Sequence, residues 1–139
     1  KLIETEQILL ISSAKTKEEI PFYYRIAGKM GFHKILPARL LKNSNFVSNW
    51  FFGAASAFDK QLLKQILLET DPDFLKWAID KVVCWDNRSL PKNVIHIHGS
   101  RDRILPARFV KWDEIIQDGG HFMVFNRSDE VNALLRRYL

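Results

Sequence analysis

Twice between Val94 and Phe122 a short apolar run breaks at glycine and then delivers a titratable side chain. The first run, Val94 to Ile97, breaks at Gly99 and is followed by Asp102; the second, Ile115 and Ile116, breaks at Gly119 and Gly120 and is followed by His121. Short apolar runs bounded by turn residues read as buried strands of a parallel sheet. Ligands bind in the crevice beyond the carboxyl ends of such strands, so both groups would stand on one functional rim. An acid followed by a histidine supplies two of the three members of a hydrolytic triad.

A third run lies far upstream. Glu6 to Ser12, EQILLIS, reads as another buried strand with Ser12 and Ser13 at its carboxyl end. Hydroxyls there could approach a substrate, although turn or capping serines fit the same positions. From there to Trp85 the pattern is helical. Thr16 and Glu19 have the spacing of a capping box, but Pro21 moves the helix start towards Ile20. Phe22, Ile26 and Met30, with Tyr23 beside them, give an apolar face that stops at Gly31. Pro37 suits the start of a helix through Leu40 and Leu41, broken by Asn43 to Asn45. An aromatic cluster of Phe46, Trp50, Phe51, Phe52 and Phe58 precedes a cleaner amphipathic face of Leu62, Leu63, Ile66 and Leu67. Asp71 caps the last helix, Pro72 takes its first position, and Phe74, Trp77, Ala78, Lys81, Val82 and Trp85 mark its buried face. Two accounts of the aromatics stand together: core packing between helices, or a helical cap whose Trp50, Phe51 and Phe52 line an acyl pocket.

His98-Gly99-x-x-Asp102-x-x-x-Pro106 followed by Gly119-Gly120-His121-Phe122 resembles the end of an α/β-hydrolase, whose triad runs nucleophile, acid, histidine along the chain. The resemblance implies Asp102 as the acid, His121 as the base, and hydrolysis of an ester or related acyl bond without a cofactor. It implies an α/β fold: a partial parallel sheet of about three strands, with a helical cap inserted between the first and second. This is the plan of the family's carboxyl-terminal half around its sixth and seventh strands. Residues 1–15 and 91–139 would form the core segment and 16–90 the cap. No G-x-S-x-G, G-x-C-x-G or G-x-D-x-G occurs, so the nucleophile and its oxyanion donors are missing from these residues. A non-catalytic binding or scaffold protein that keeps the fold is the competing class.

Composition bounds the rest. With 139 residues, 47% hydrophobic and 27% charged, the chain is one globular domain in make-up, able to bury about two thirds of its unfolded surface. The single cysteine, Cys84, excludes an internal disulfide framework, and no apolar run reaches the roughly 18 residues of a spanning helix. A reduced, cytoplasmic setting follows as the default. The absence of methionine at Lys1 and of a long apolar leader reads as a cut start. The net charge of +5 is spread among acids, without a dense basic run, a zinc-ligand series or an RNA-binding aromatic motif. A solvated surface therefore accounts for it better than nucleic acid. Between Glu19 and Asp59 there is no acid, while Arg25, Lys29, Lys34, Arg39 and Lys42 fall inside, a weak pointer to an anionic substrate.

The remaining titratable groups read as structural. His96 and His98 alternate with isoleucines and share one face of their strand, but a zinc site needs a third ligand that the neighbourhood lacks; hydrogen-bonded structural histidines fit better. Cys84 reads as a buried helix residue, since nothing nearby would lower its pKa. Pro106 to Trp112 allow two helical turns at most between the last strands. Ser128 caps a closing helix with Val131, Leu134, Leu135 and Tyr138 inward, expected to cover the sheet edge. Three strands leave EQILLIS with an open apolar edge. The partners implied are a small acyl substrate and either a missing amino-terminal half or self-association through that edge.

Overall fold

The computed structural model describes residues 6–35, 37, 42–90 and 92–139. Strands β1 (Ile8–Ile11), β2 (Val94–Gly99) and β3 (Glu114–Ile116) form a parallel sheet in that order. Ile8 lies opposite Val94 and Ile11 opposite Ile97; Ile97 lies opposite Glu114 and Gly99 opposite Ile116. The alternation of side chains along a strand then puts Ile11, Ile97 and Ile116 on one face and both His96 and His98 on the other. The α/β architecture and the three-stranded parallel sheet are as the sequence led us to expect.

Among the described residues there are six α-helices. Helices α1 (Phe22–Lys29), α2 (Phe46–Phe52), α3 (Ala57–Glu69) and α4 (Pro72–Val83) all fall between β1 and β2 in the chain, while α5 (Met123–Asn126) and α6 (Ser128–Tyr138) follow β3. Their starts have local causes. The Asn45 side chain accepts from the backbone of Val47 and Ser48, and Ser56 forms a capping box with Asp59. Asp71 accepts from Asp73 and Phe74 with Pro72 just inside, as its sequence position suggested. Apart from Pro37, the stretch expected to be helical through Leu41 lies outside the described residues.

Two expected caps do not operate. Pro21 has no N–H to continue a helix, so Lys17–Glu19 makes only a 3₁₀ turn, and Thr16 forms no side-chain cap bond. Glu19 is instead buried, accepting from the backbone N–H groups of Lys15 and of Lys111 at 3.0 Å, which clips the exit of β1 to the approach to β3. Ser128 is the first residue inside α6 rather than its cap, and no side chain caps that helix.

Among the described residues the buried core has three parts. Met123 and Val131, with Leu134 and Leu135, pack on Ile97, Ile116 and Ile11, so α6 covers a face of the sheet and not its edge. On the histidine face, Ile20, Leu105 and Val110 pack with Tyr24 and Ile104. Leu63 and Leu67 of α3 pack with Ala54 against Phe122 in the loop that carries His121. Other apolar faces are uncovered. Phe22 and Ile26 of α1 with Met30 just after it, and Phe74, Trp77 and Val82 of α4, are exposed, so the face of α4 read as buried is open here. No residue of α2 is fully buried, and its aromatics divide: Phe46 and Trp50 are exposed, while Phe52 is half-buried and packs on the core around Leu63, as the core-packing account expects. No helix among the described residues is long and apolar enough to cross a membrane.

Candidate functional site

Gly99 ends β2, and a Cβ on it would sit 2.3 Å from the Gly119 carbonyl oxygen. Only glycine lets the loop after β2 and the loop after β3 cross so closely. Backbone bonds hold the crossing: the N–H of Ser100 donates to the Ile116 carbonyl at 3.0 Å and that of Arg101 to the Gly119 carbonyl at 2.9 Å. The two loops carry Asp102 and His121.

Those side chains meet. His121 Nδ1 lies 2.8 Å from Asp102 Oδ2. A carboxylate only accepts, so in the neutral ring Nδ1 carries the proton and Nε2 is left as an acceptor. Asp102 is buried, and its other oxygen accepts from the backbone of Ile104 at 2.9 Å and Leu105 at 2.8 Å. With both oxygens held, the carboxylate cannot swing away from the imidazole. His121 is part-buried, with the Phe52 ring edge-on at 6.0 Å.

The histidines of β2 divide. His98 Nε2 donates to the Leu105 carbonyl at 2.8 Å and lies 3.7 Å from Asp102 Oδ2, so it braces the Asp102 loop from below. That is the structural role expected of it. His96, although fully buried, finds no hydrogen-bond partner for either ring nitrogen among the described residues, and the bonded role expected there is not seen. Burial first, then the charges of His98 and Lys15, push its pKa below the ordinary value.

Of the three aromatics, Trp50 alone lines a cavity of about 710 Å³; Phe51 packs edge-on against it and Phe52 turns to His121. The wall is mixed: Phe46, Ala54 and Ala55 line it with Trp50, together with Lys60, Arg101, Arg103 and Arg127 and the acids Asp59 and Asp118. Arg103, which sequence reasoning passed over, ties the acid loop to α2: it donates to the Trp50 carbonyl at 2.7 Å and stacks over the indole at 4.5 Å. Phe122 N–H donates to the Phe52 carbonyl at 3.0 Å, tying the histidine loop to the same helix. The one available signal was an arginine directly after the acid.

Of the cations singled out from the acid-free segment, Arg39 lies outside the described residues. Arg25 and Lys29 line a separate cavity with Trp85, and neither Asp102 nor His121 contributes to it. None of Ser12, Ser13 and Ser100 is hydrogen-bonded to His121; Ser12 Oγ is buried without a partner among the described residues, and Ser100 Oγ accepts from Asp118 at 2.9 Å.

Comparison with solved structures places this geometry. A candidate non-heme bromoperoxidase, BpoC from Mycobacterium tuberculosis H37Rv, matches with a TM-score of 0.55 at 13% identity, over 93% of this chain and 55% of its own. The meta-cleavage product hydrolase CumD from Pseudomonas fluorescens IP01, in a serine-to-alanine mutant complexed with acetates, matches with a TM-score of 0.52 at 13% identity, over 93% of this chain and 53% of its own. The fold is that of the α/β-hydrolases. The chain spans about half the length of the solved structures it matches. No protein-family model and no curated protein sequence matches it.

Proposed function

We propose that this chain is the carboxyl-terminal half of an α/β-hydrolase acting on an ester or related acyl bond, in a reduced cytoplasmic setting and without a cofactor. Asp102 is the acid and His121 the base of a triad whose nucleophile comes from outside these 139 residues. The observation that carries the reading is the 2.8 Å contact of His121 Nδ1 with a buried Asp102, each on a loop leaving the carboxyl end of a parallel strand. An alcohol is a weak nucleophile at neutral pH and needs an imidazole nitrogen within about 3 Å to take its proton. Nε2 is the nitrogen free to do so, and Asp102 holds the tautomer and stabilises the imidazolium that results. Residues 16–90, with helices α1 to α4, act as a cap, with Trp50 beside the acyl group and Phe52 shielding the imidazole from water.

The test uses the full-length protein. Asp102→Asn and His121→Ala should each lower turnover of a small acyl ester by roughly 10³ to 10⁴ while the circular dichroism spectrum and melting profile stay near those of the parent. Unchanged rates in either variant would remove that residue from the triad. An inactive parent would leave the non-catalytic scaffold as the better reading.

A further inference from the structure

Away from the Asp102–His121 pair, three side chains of different ligand chemistry converge where α4 meets the turn after α1. Asp80 and Cys84 are one helical turn apart at the end of α4, so they share a face. His33 arrives from the 3₁₀ turn Phe32–Ile35, its side chain only 6% exposed. Its Nε2 lies 2.9 Å from Asp80 Oδ1, and Cys84 Sγ lies 3.9 Å from that same oxygen. The imidazole, carboxylate and thiol ligand atoms all fall within 4.8 Å of one another.

We propose that His33, Asp80 and Cys84 form a zinc-binding site, independent of the hydrolase reading. Zinc takes nitrogen, oxygen and sulfur ligands at about 2.0 to 2.3 Å, which sets tetrahedral ligand separations of about 3.3 to 3.7 Å. The observed 2.9 and 3.9 Å to Asp80 lie on either side of that range, and with all three atoms within 4.8 Å of one another, side-chain rotation of His33 and Cys84 would be needed to bring them onto one ion. Helical spacing alone puts the thiol near Asp80; what the site adds is His33, which arrives from another segment onto the same oxygen.

The backbone is shaped for the approach. A Cβ on Gly28 would sit 2.6 Å from the Val83 carbonyl oxygen, so glycine there lets α1 lie directly against the end of α4. That crossing fixes the distance from which His33 reaches Asp80. Cys84 was expected to be buried; it is exposed and lines a cavity of about 470 Å³, and Asp80 is itself only half-buried, so an ion and a fourth, water ligand would arrive from the thiol and carboxylate side. Three protein ligands with an open position are the arrangement zinc adopts in reactive sites rather than closed structural ones. Lys81, 3.4 Å from the other Asp80 oxygen, and Arg25 and Lys29 in the cavity wall oppose a divalent cation. Binding should therefore be on the order of micromolar rather than the far tighter grip of a four-ligand site.

Zn²⁺ alone, and separately Co²⁺ alone, titrated into the reduced, chelator-treated full chain tests this. The expected result is one zinc equivalent whose uptake requires Cys84, and a near-ultraviolet thiolate-to-cobalt absorption. Cys84→Ser should abolish that absorption and weaken zinc by about 100-fold or more, beyond the 10- to 100-fold typical of losing an outer-shell partner. Cys84 is exposed, so the variant should keep the parent's circular dichroism spectrum. His33→Gln and Asp80→Asn should weaken zinc as well. Failure of the parent to take up zinc, or equal zinc affinity and the same absorption in Cys84→Ser, would overturn the proposal.

Discussion

His96 carries the clearest consequence of burial for a single residue. Its ring is fully buried beside His98, in the field of Lys15, and its pKa is pushed below the ordinary histidine value, first by burial. The unfolded chain therefore binds a proton near pH 6.5 that the folded chain refuses. By linkage, the stability is whole above that value and is lost as pH falls below it. Urea unfolding at a series of pH values should show that loss, and His96→Phe should reduce the slope below pH 6.5 by up to about 1.4 kcal/mol per pH unit. An identical slope in the variant would show that His96 is not the group responsible.

Among the elements, α2 couples structure to the candidate site most directly. It buries none of its own residues, yet its carbonyls at Trp50 and Phe52 accept from the acid loop and the histidine loop. A helix held by its backbone while Trp50 stays exposed suits, at that residue, a wall for another molecule better than a core. Trp50→Ala in the full-length protein should then shift acyl chain-length preference by a factor of about 10 to 200. It should cost much less than the about 3 to 5 kcal/mol typical of a buried aromatic. Melting curves and a chain-length series on the same preparations separate the cases: a large stability loss with an unchanged preference would return Trp50 to a packing role.

At the scale of the whole molecule the uncovered surface is the dominant feature. The described sheet leaves β1 as an edge, and α1 and α4 turn Phe22, Ile26, Met30, Phe74 and Trp77 outward. Unpaired strand groups beside apolar surface are a template for another chain. The 139 residues alone should therefore associate, by strand exchange or aggregation, and should hydrolyse no ester above the buffer rate. Light scattering and an ester assay address both parts. A stable, active monomer would count against the missing-half reading and would direct attention to Ser12, Ser13 and Ser100.

What was legible in the sequence was local. The three strands and the cap at Asp71 each depend on residues within a turn or a strand of one another, and the order of acid before histidine is read directly along the chain. Glycine after an apolar run announced the loops that bring Asp102 and His121 to 2.8 Å, although not the Gly99–Gly119 crossing that sets the distance. Only the tertiary structure decided what each apolar face meets. Periodicity marks one side of α4 as apolar in any context, but whether that side is covered depends on segments far away in the chain, and here it is open. The same limit hid Glu19 behind a capping-box spacing, Arg103 over the Trp50 ring, and His33 beside Asp80 and Cys84. Local preferences are decided over a few residues of backbone; these contacts join segments dozens of residues apart, whose meeting is set by how the helices pack on the sheet.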